Sequence, residues 1–189
     1  RRQAERWISG RRTSFRMASD RNQVCGVVRL LSELGQQFGA MTEDDDIRVS
    51  VALEEALLNA VIHGNLEVSS ELRELGGSEY DDLIDERCAD PRYGSRVVCV
   101  ECDATADEVR FVIRDEGPGF DVARLRDPRD EDRIELASGR GILMMRAFMD
   151  EVTFNAKGNE VTLVKRATQT ERAAAAAAGG ASREVSAAC

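Results

Sequence analysis

The sequence predicts an α/β two-layer sandwich, in which a mixed but mostly antiparallel sheet carries helices on one face. Three observations predict this class. The chain has 189 residues, of which 42% are hydrophobic, and this suffices for one well-buried domain. Its predicted elements follow the order strand, two helices, two strands, loop, helix and hairpin. A helical stretch and a strand that ends in an acidic glycine turn also carry polar residues suited to a shared site.

The first three elements are a strand and two helices. Phe15 and Met17 share one face of a strand over 12–18, which we place at the edge of the sheet. A helix follows, because apolar residues recur at helical spacing over 24–34. A second helix is predicted over 42–64, with acidic residues in its first turn that favour a helix N-terminus. Since an unpaired edge invites pairing, the first strand could join a second copy of the chain.

The second half of the chain supplies the rest of the sheet. Residues 66–94 are predicted to be an acidic, solvated excursion that is at most part-helical. A charged, irregular segment over 121–137 precedes a helix that begins at Gly141. The four remaining strands are predicted over 97–102, 109–114, 152–156 and 160–166.

The two ends of the chain differ from its centre. Residues 1–11 are interpreted as an N-terminal extension and residues 12–167 as the folded domain. Residues 168–189 contain an alanine run and lack apolar periodicity. Because a short alanine run forms only a marginal helix in water, this tail is predicted to be disordered.

The net charge of −9 and the pI near 4.8 limit the classes of partner. Nucleic-acid binding normally needs a basic face, so direct binding to DNA or RNA is disfavoured, and an acidic surface suits a protein partner with basic patches. No apolar run approaches the ~20 residues that span a bilayer, and the N-terminus lacks a signal core, so no membrane contact and a cytoplasmic location are expected. The five cysteines provide no second ligand pair for zinc and are expected to be reduced thiols.

Glu55, Asn59 and His63 recur at four-residue intervals in the second helix, which places them on one face. A solvated helix face is the ordinary position of Glu and Asn, and it is the preferred interpretation while the motif stands alone. His63 is the single histidine, and we expect it to pack or form hydrogen bonds rather than to accept a phosphoryl group.

A second motif, Asp115-Glu-Gly-Pro-Gly119, comes directly after the strand over 109–114. An ordinary Gly-Pro-Gly turn would also explain the glycines. However, a carboxylate at the end of a strand can accept a hydrogen bond from a ligand, and glycines let the backbone approach it closely. Together with the acid and the carboxamide on the helix, this turn suggests a nucleotide with its magnesium ion.

Four segments, in order, resemble the N box and the three glycine boxes of the GHKL ATPases, a superfamily that includes gyrase and the histidine kinases. Within that group the chain most resembles the bacterial anti-sigma factor serine kinases, over residues 12–166. The resemblance implies the Bergerat ATP-binding fold. The segments are Glu55-Ala-Leu-Leu-Asn59, Asp115-Glu-Gly-Pro-Gly119, Gly139-Arg-Gly141 and the stretch around Thr162.

The resemblance assigns roles to residues of the first two boxes. Asn59 would bind Mg²⁺, and Glu55 would stand near the γ-phosphate of ATP and accept the proton of an incoming hydroxyl group. Asp115 would accept the adenine amino hydrogen, while Gly117 and Gly119 would let the backbone approach the base.

The other two boxes would complete the nucleotide site. Gly139 and Gly141 open a helix whose free amides would face the phosphates, and Arg140 is a candidate phosphate contact. The resemblance also implies an ATP lid over 121–139. Thr162 falls where relatives place a threonine that helps to hold adenine, although threonine is also an ordinary strand residue.

The implied protein is an ATP-dependent serine/threonine kinase of the anti-sigma factor type. It would sequester a sigma factor, phosphorylate a small antagonist protein of the STAS type, and form a homodimer. The rival interpretation is a protein-binding switch module that uses ATP as a conformational ligand without phosphotransfer, because the same nucleotide contacts would serve it equally well. A scaffold with decayed boxes is disfavoured, since the residues with chemical roles are intact.

Overall fold

The computed structural model describes most of the predicted domain. The described residues are 10–37, 41–70, 72, 78–124 and 140–168. Three predicted features therefore lie largely outside them: the N-terminal extension up to residue 9, the lid beyond Arg124, and the tail beyond Thr168.

One layer of the protein is a five-stranded sheet. Its strands are β1 (Gly10–Ala18), β2 (Val97–Thr105), β3 (Glu108–Arg114), β4 (Glu151–Phe154) and β5 (Glu160–Arg166). Their order across the sheet is β1-β2-β3-β5-β4, so β1 is an edge strand as predicted. The sequence predicted a mixed, mostly antiparallel sheet, and all four pairs of described strands are antiparallel.

The second layer is helical. It contains α1 (Val24–Gln37), α2 (Glu43–Leu58), a π-helix (Asn59–Asn65), α3 (Glu79–Ala89), α4 (Pro91–Gly94) and α5 (Arg140–Phe148). Helix α2 packs against both α1 and α5. The predicted two-layer α+β class is therefore confirmed. Within the described residues, no helix combines the length and the apolar composition needed to cross a bilayer.

The hydrophobic core lies between the two layers. Alternate residues of β2 and β3 are buried, as the two-residue period of a strand requires, and Phe111 and Leu57 are fully buried at the centre. Met17 is buried in this core, and Phe15 packs against it. The apolar face of β1 therefore belongs to the core, and only its free backbone edge is left for pairing with another chain.

Strands β1 and β2 are both longer than the sequence predicted. Gly10 pairs with Thr105 and Arg11 pairs with Ala104, so each strand extends the other beyond its apolar segment. Backbone hydrogen bonds do not require apolar side chains, which is why the hydrophobic pattern ended before the strands did.

The predicted second helix changes its hydrogen-bonding pattern at Asn59, where the π-helix begins. Near its end, the Leu66 N–H donates to the carbonyl of Val61 at 2.9 Å, a five-residue span. A π-helix has more residues per turn than an α-helix, so His63 does not lie directly one α-turn beyond Asn59. Such segments are frequent at functional sites.

The acidic excursion over 66–94 is part-helical, which agrees with the prediction, but its described residues are not wholly solvated, which does not. It contains α3 and α4, and Ile84 of α3 has no exposed surface. Arg21 forms ion pairs with Asp81 and Asp85 of the same helix. Tyr80 and Leu83 pack beside Ile84, partly buried, at helical spacing. This apolar pattern covers only one turn among charged residues, so the sequence signal was too short to identify the packing.

Replacing Ile84 by Ala is expected to destabilise the domain by about 3 kcal/mol, because it leaves a cavity in a site with no exposed surface. Thermal unfolding should then occur roughly 6–12 °C lower than in the parent chain. Glu86→Ala, at an exposed position on the same helix, is the matched control and should change stability by less than about 0.5 kcal/mol. Equal melting of the two variants would show that α3 does not pack on the core.

Candidate functional site

A cavity of about 350 Å³ lies between the helical layer and the sheet. The end of α2 and the π-helix form one wall, the start of α5 forms another, and the turns after β3 and before β5 contribute the rest. Glu55, Asn59 and Asp115 all line this cavity. The fold thus brings together three residues that the sequence predicted from two separate motifs.

The polar end of the cavity is formed by Glu55, Asn59 and the start of α5. A Cβ atom on Gly141 would lie 2.5 Å from Glu55 Oε2 and 3.7 Å from the side-chain nitrogen of Asn59, so the α5 backbone lies directly against both side chains. The first amides of a helix have no partner within the helix and carry the positive end of its dipole. A carboxylate, a carboxamide and helix amides meet here, and this combination suits an anion that arrives with a cation.

Asp115 lies at a second end of the cavity, where β3 stops. The residue is 9% exposed, and burial raises its pKa from 3.8 to about 6. The Gly117 N–H donates to Asp115 Oδ1 at 2.8 Å, and this bond and the nearby Lys157 ammonium oppose the rise in pKa. Since Oδ1 is held by the turn, Oδ2 is the oxygen that can accept from a ligand.

Gly64 allows the helix to approach the acidic turn. A Cβ atom on Gly64 would lie 2.4 Å from Asp115 Cγ, and a Cβ atom on Gly117 would lie 2.2 Å from the Gly64 carbonyl oxygen. Neither position accepts a side chain unless the turn moves. Gly64 follows Glu55 along the same helical wall at a distance of roughly 10–13 Å, given up to 1.5 Å per residue. The acid and the anion-binding end are therefore separated by more than two helical turns of this wall.

The space between the two ends has apolar walls. Ile113 and Val161 are paired across β3 and β5, and both line the cavity together with Met145 of α5. The rings of Phe120 and Phe154 meet edge to face with their centroids 5.3 Å apart, and both residues also line the cavity. These surfaces suit a flat, largely apolar ring.

Gly119 lines the cavity, and its φ of +78° lies in the left-handed region that favours glycine. Gly117 is not among the lining residues, and its missing side chain serves the contact with Gly64 instead. Arg140 is exposed at the start of α5 and does not line the cavity. Gly139 lies outside the described residues.

Thr162 is not a lining residue either. It pairs with Val112, whereas its neighbour Val161 pairs with Ile113 and faces the cavity. Because successive residues of a strand point to opposite faces, Thr162 lies on the far side of the sheet. The expected adenine contact of Thr162 is therefore not supported, since the motif identifies the strand but not the face.

Four more polar residues lie at or beside the site, and three of them, Asn65, Lys157 and Asn159, were not predicted to belong to it. His63 lines the cavity, and its Nδ1 lies 2.6 Å from the Val68 carbonyl oxygen, consistent with the hydrogen-bonding role expected for it. Asn65, Lys157 and Asn159 form hydrogen bonds to the acidic turn. Each of these three residues is the direct neighbour of a glycine in the chain. This adjacency is the single sequence signal that could have indicated them.

The described residues contain no group of three or more His, Cys, Asp or Glu that could hold a metal ion. The cysteines within the described residues, Cys25, Cys88, Cys99 and Cys102, are free thiols. Burial raises the pKa of Cys102 to about 12, so this thiol is a core residue rather than a nucleophile.

The chain is similar to known proteins over most of its length. Residues 17–165 match the model of the histidine kinase-like ATPase domain. The chain is 31% identical over 146 residues to the anti-sigma F factor of Anoxybacillus flavithermus. The aligned region covers 74% of this chain and 96% of the relative. It is 26% identical over 150 residues to the anti-sigma F factor of Clostridium perfringens (78% of this chain, 88% of the relative). For the anti-sigma F factor of Oceanobacillus iheyensis the identity is 27% over 135 residues (69% of this chain, 75% of the relative).

Proposed function

The chain belongs to the histidine kinase-like ATPase family, and on this basis we propose that it is an ATP-binding anti-sigma regulatory factor that phosphorylates an antagonist protein on serine or threonine. It also sequesters a sigma factor, so that the phosphorylation state of the antagonist controls transcription. The observation that carries this proposal is the convergence of Glu55, Asn59 and Asp115 on one cavity.

The two ends of the cavity support one orientation of ATP. The adenine amino group donates to Asp115 Oδ2, and the ring lies between apolar walls that include Ile113 and Val161. Guanine carries a carbonyl oxygen at the equivalent position, which would face the carboxylate without a proton to share. The phosphates then extend toward Glu55 and the first amides of α5.

Asn59 is the residue that would bind Mg²⁺. This ion commonly takes one or two protein oxygens and completes its shell with phosphates and water, so one carboxamide oxygen at the phosphate end fits its chemistry. The bound ion would neutralise charge on the phosphates. Asn59 would hold it on the same wall as Glu55, one helical turn away.

Glu55 acts as the general base in the proposed transfer. The hydroxyl oxygen of the antagonist's serine attacks the γ-phosphorus of ATP, the bond from that phosphorus to the bridging oxygen breaks, and ADP leaves. The hydroxyl proton passes to the Glu55 carboxylate. Glu55 lies against the backbone at Gly141, at the end of the cavity where the γ-phosphate would lie.

The regulatory part of the proposal rests on the relatives. The three similar proteins compared above are anti-sigma F factors, and the chain covers most of the length of each. The net charge of −9 suits partners with basic patches, here a sigma factor and an antagonist of the STAS type. We therefore also propose a cytoplasmic location, where these partners would act.

A phosphotransfer assay tests the proposal. The protein is used to capture partners from native cell extract in the presence of ATP, and the captured proteins are then incubated with γ-labelled ATP. We expect label on a serine or threonine of a small captured protein, together with one ADP released per phosphate transferred. If ATP binds and changes partner capture but no captured protein becomes labelled, the switch-module interpretation replaces the kinase.

The affinity for ATP should fall as the pH is lowered through about 6. Asp115 accepts the adenine proton as a carboxylate, and its pKa in the ligand-free protein is raised to about 6 by burial. Below that pH the carboxyl group must lose a proton before it can bind adenine in this way, so affinity should decrease by up to tenfold per pH unit. Titration calorimetry between pH 5 and 8 measures this, with Asp115→Asn as the baseline for all other titrating groups.

Lys157→Met should move the midpoint of this pH dependence upward, because the Lys157 ammonium lowers the pKa of Asp115 in the parent. A flat profile in the parent would remove Asp115 from the adenine contact. An unchanged midpoint in Lys157→Met would show that the Lys157 charge does not act on Asp115.

We also propose that the protein is a homodimer joined through β1, whose outer backbone edge is unpaired within the described residues. Sedimentation at micromolar concentration should give twice the chain mass. Because successive N–H groups of a strand point to opposite edges, one of Arg11→Pro and Arg12→Pro removes an outer-edge N–H and should weaken the dimer, since proline interrupts a strand ladder. A parent chain that sediments as a monomer with and without ATP would contradict this assembly.

A further inference from the structure

We propose that two buried asparagines, Asn65 and Asn159, are positioning residues that hold the adenine-reading turn in its binding geometry. This turn, residues 115–117, is called the adenine turn below. The inference rests on the proposed function, because it takes the turn to contact adenine. Neither asparagine belongs to the boxes that identify the family.

Asn65 holds the adenine turn from the helical layer. It has no exposed surface, and its Oδ1 accepts a hydrogen bond from the Glu116 N–H at 2.7 Å. Its Nδ2 donates to the Ser19 hydroxyl oxygen at 2.9 Å, and its carbonyl oxygen accepts from Arg96 at 2.7 Å. The last residue of the π-helix is therefore fixed on three sides and presents one acceptor to the turn.

Asn159 holds the same turn from the sheet. The residue is 8% exposed, and its Nδ2 donates to the Asp115 carbonyl oxygen at 2.8 Å. Its own carbonyl oxygen accepts from the Asp115 N–H at 3.0 Å. Its Oδ1 is held in turn by the Asn155 side-chain amide at 2.9 Å. The two asparagines thus form hydrogen bonds to the same short segment, one from the helical layer and one from the sheet.

The remaining bonds of the turn come from its own acid and from Lys157. The Gly117 N–H donates to Asp115 Oδ1 at 2.8 Å, and the Gly117 carbonyl accepts from Lys157 Nζ at 2.8 Å. With the asparagine contacts, both backbone groups of Asp115 and of Gly117 and the N–H of Glu116 are hydrogen-bonded. A turn held in this way presents the Asp115 carboxylate without reorganisation when the base arrives, and this is what makes a hydrogen-bonding pocket selective.

The chemistry of the partners makes the two asparagines unequal. Asn65 uses an oxygen toward the turn, because its partner there is an N–H donor. Asn159 uses a nitrogen, because its partner there is a carbonyl acceptor. Asparagine-to-aspartate exchange keeps the size and the oxygen but removes the amide donor. The same substitution should therefore be tolerated at residue 65 and harmful at residue 159.

The experiment measures the dissociation constants of ATP and GTP for the parent, Asn65→Asp and Asn159→Asp at pH 8. Asn159→Asp places a carboxylate oxygen against the Asp115 carbonyl and should reduce the preference for ATP over GTP by about tenfold or more. Asn65→Asp keeps the acceptor for Glu116. It loses the donor to the Ser19 hydroxyl, whose own proton is given to the Arg96 carbonyl oxygen, but the Arg96 guanidinium beside the Asn65 carbonyl balances the new negative charge. This variant should keep the preference within about threefold of the parent, and Asn65→Ala should lose it.

Several outcomes would overturn the inference. A preference that survives in both Asn159→Asp and Asn65→Ala would show that the asparagines do not position the turn. An equal loss in both aspartate variants would indicate a general structural effect. A parent chain that does not prefer ATP over GTP would instead refute the proposed adenine site itself.

A second measurement needs no variant and applies even if a substituted chain does not fold. In the ligand-free parent, the amide protons of Glu116 and Gly117 should exchange with solvent as slowly as those of β3, because both are hydrogen-bonded within the held turn. Fast exchange of these two amides would show that the turn is not held before the nucleotide binds, and the inference would be wrong.

Discussion

Asp115→Asn is expected to weaken ATP binding by roughly 100-fold, which is the upper range for loss of a hydrogen bond to a charged group. The Gly117 N–H donates to Oδ1, so the oxygen of the new carboxamide will remain at that position. Its NH₂ group then faces the cavity and meets the adenine amino group donor to donor. The same NH₂ group can donate to the guanine carbonyl oxygen, so the preference should shift from ATP toward GTP. Titration of both nucleotides measures the shift.

The stability of Asp115→Asn separates lost binding from lost folding. The pKa of Asp115 in the folded protein, about 6, lies above its ordinary value of 3.8, so its contribution favours folding below pH 4 and is lost as the pH rises through 6. At pH 8 the ionised group therefore opposes folding, by up to about 3 kcal/mol. The variant should melt at or above the temperature of the parent at that pH. A variant that melts lower, or that binds ATP as the parent does, would contradict this account of Asp115.

Glu55→Gln is expected to slow phosphotransfer by about 100-fold or more while ATP binding stays within about threefold. The substitution keeps the shape of the side chain and its contact with the start of α5, but it removes the group that accepts the hydroxyl proton. The measurement is the rate of labelled phosphate transfer at saturating ATP. If this variant transfers phosphate as fast as the parent, Glu55 is not the base and the switch-module interpretation gains support.

Asn59→Ala is the matched variant one helical turn away. It removes the proposed metal ligand, so it should lower ATP affinity when Mg²⁺ is present and have little effect when Mg²⁺ is chelated. The two variants should therefore have different effects: Glu55→Gln lowers the rate of phosphotransfer, and Asn59→Ala lowers the Mg²⁺-dependent affinity for ATP. Identical losses in both measurements would indicate that the substitutions simply disturb the helix.

The sequence predicted the parts of this site that depend on local patterns. Helical spacing placed Glu55 and Asn59 on one wall, and the strand-turn pattern placed Asp115 at the end of β3. The order of elements predicted the two-layer class, and the β5 boundaries were predicted correctly as Glu160–Arg166. These features follow from side-chain periodicity and turn chemistry, which one chain can show without its neighbours.

The features that the sequence did not predict depend on contacts between distant segments. The π-helix brings Gly64 against Asp115, and no local pattern encodes that approach. The face of β5 that carries Thr162 depends on register, where a shift of one residue reverses every side chain. Asn65 and Asn159 resemble ordinary turn residues until their buried partners are known. Tyr80, Leu83 and Ile84 form only one apolar turn among charges, yet they pack α3 against the core.

The central claim is that one cavity holds ATP, with its base at Asp115 and its phosphates at Glu55 and Asn59. A crystal structure of the protein with Mg²⁺ and a non-hydrolysable ATP analogue tests this most directly. We predict the adenine amino nitrogen within hydrogen-bonding distance of Asp115 Oδ2, the metal ion bound to Asn59 Oδ1, and the γ-phosphate beside Glu55. An analogue bound outside this cavity, or inside it with the phosphates at Asp115, would contradict the account.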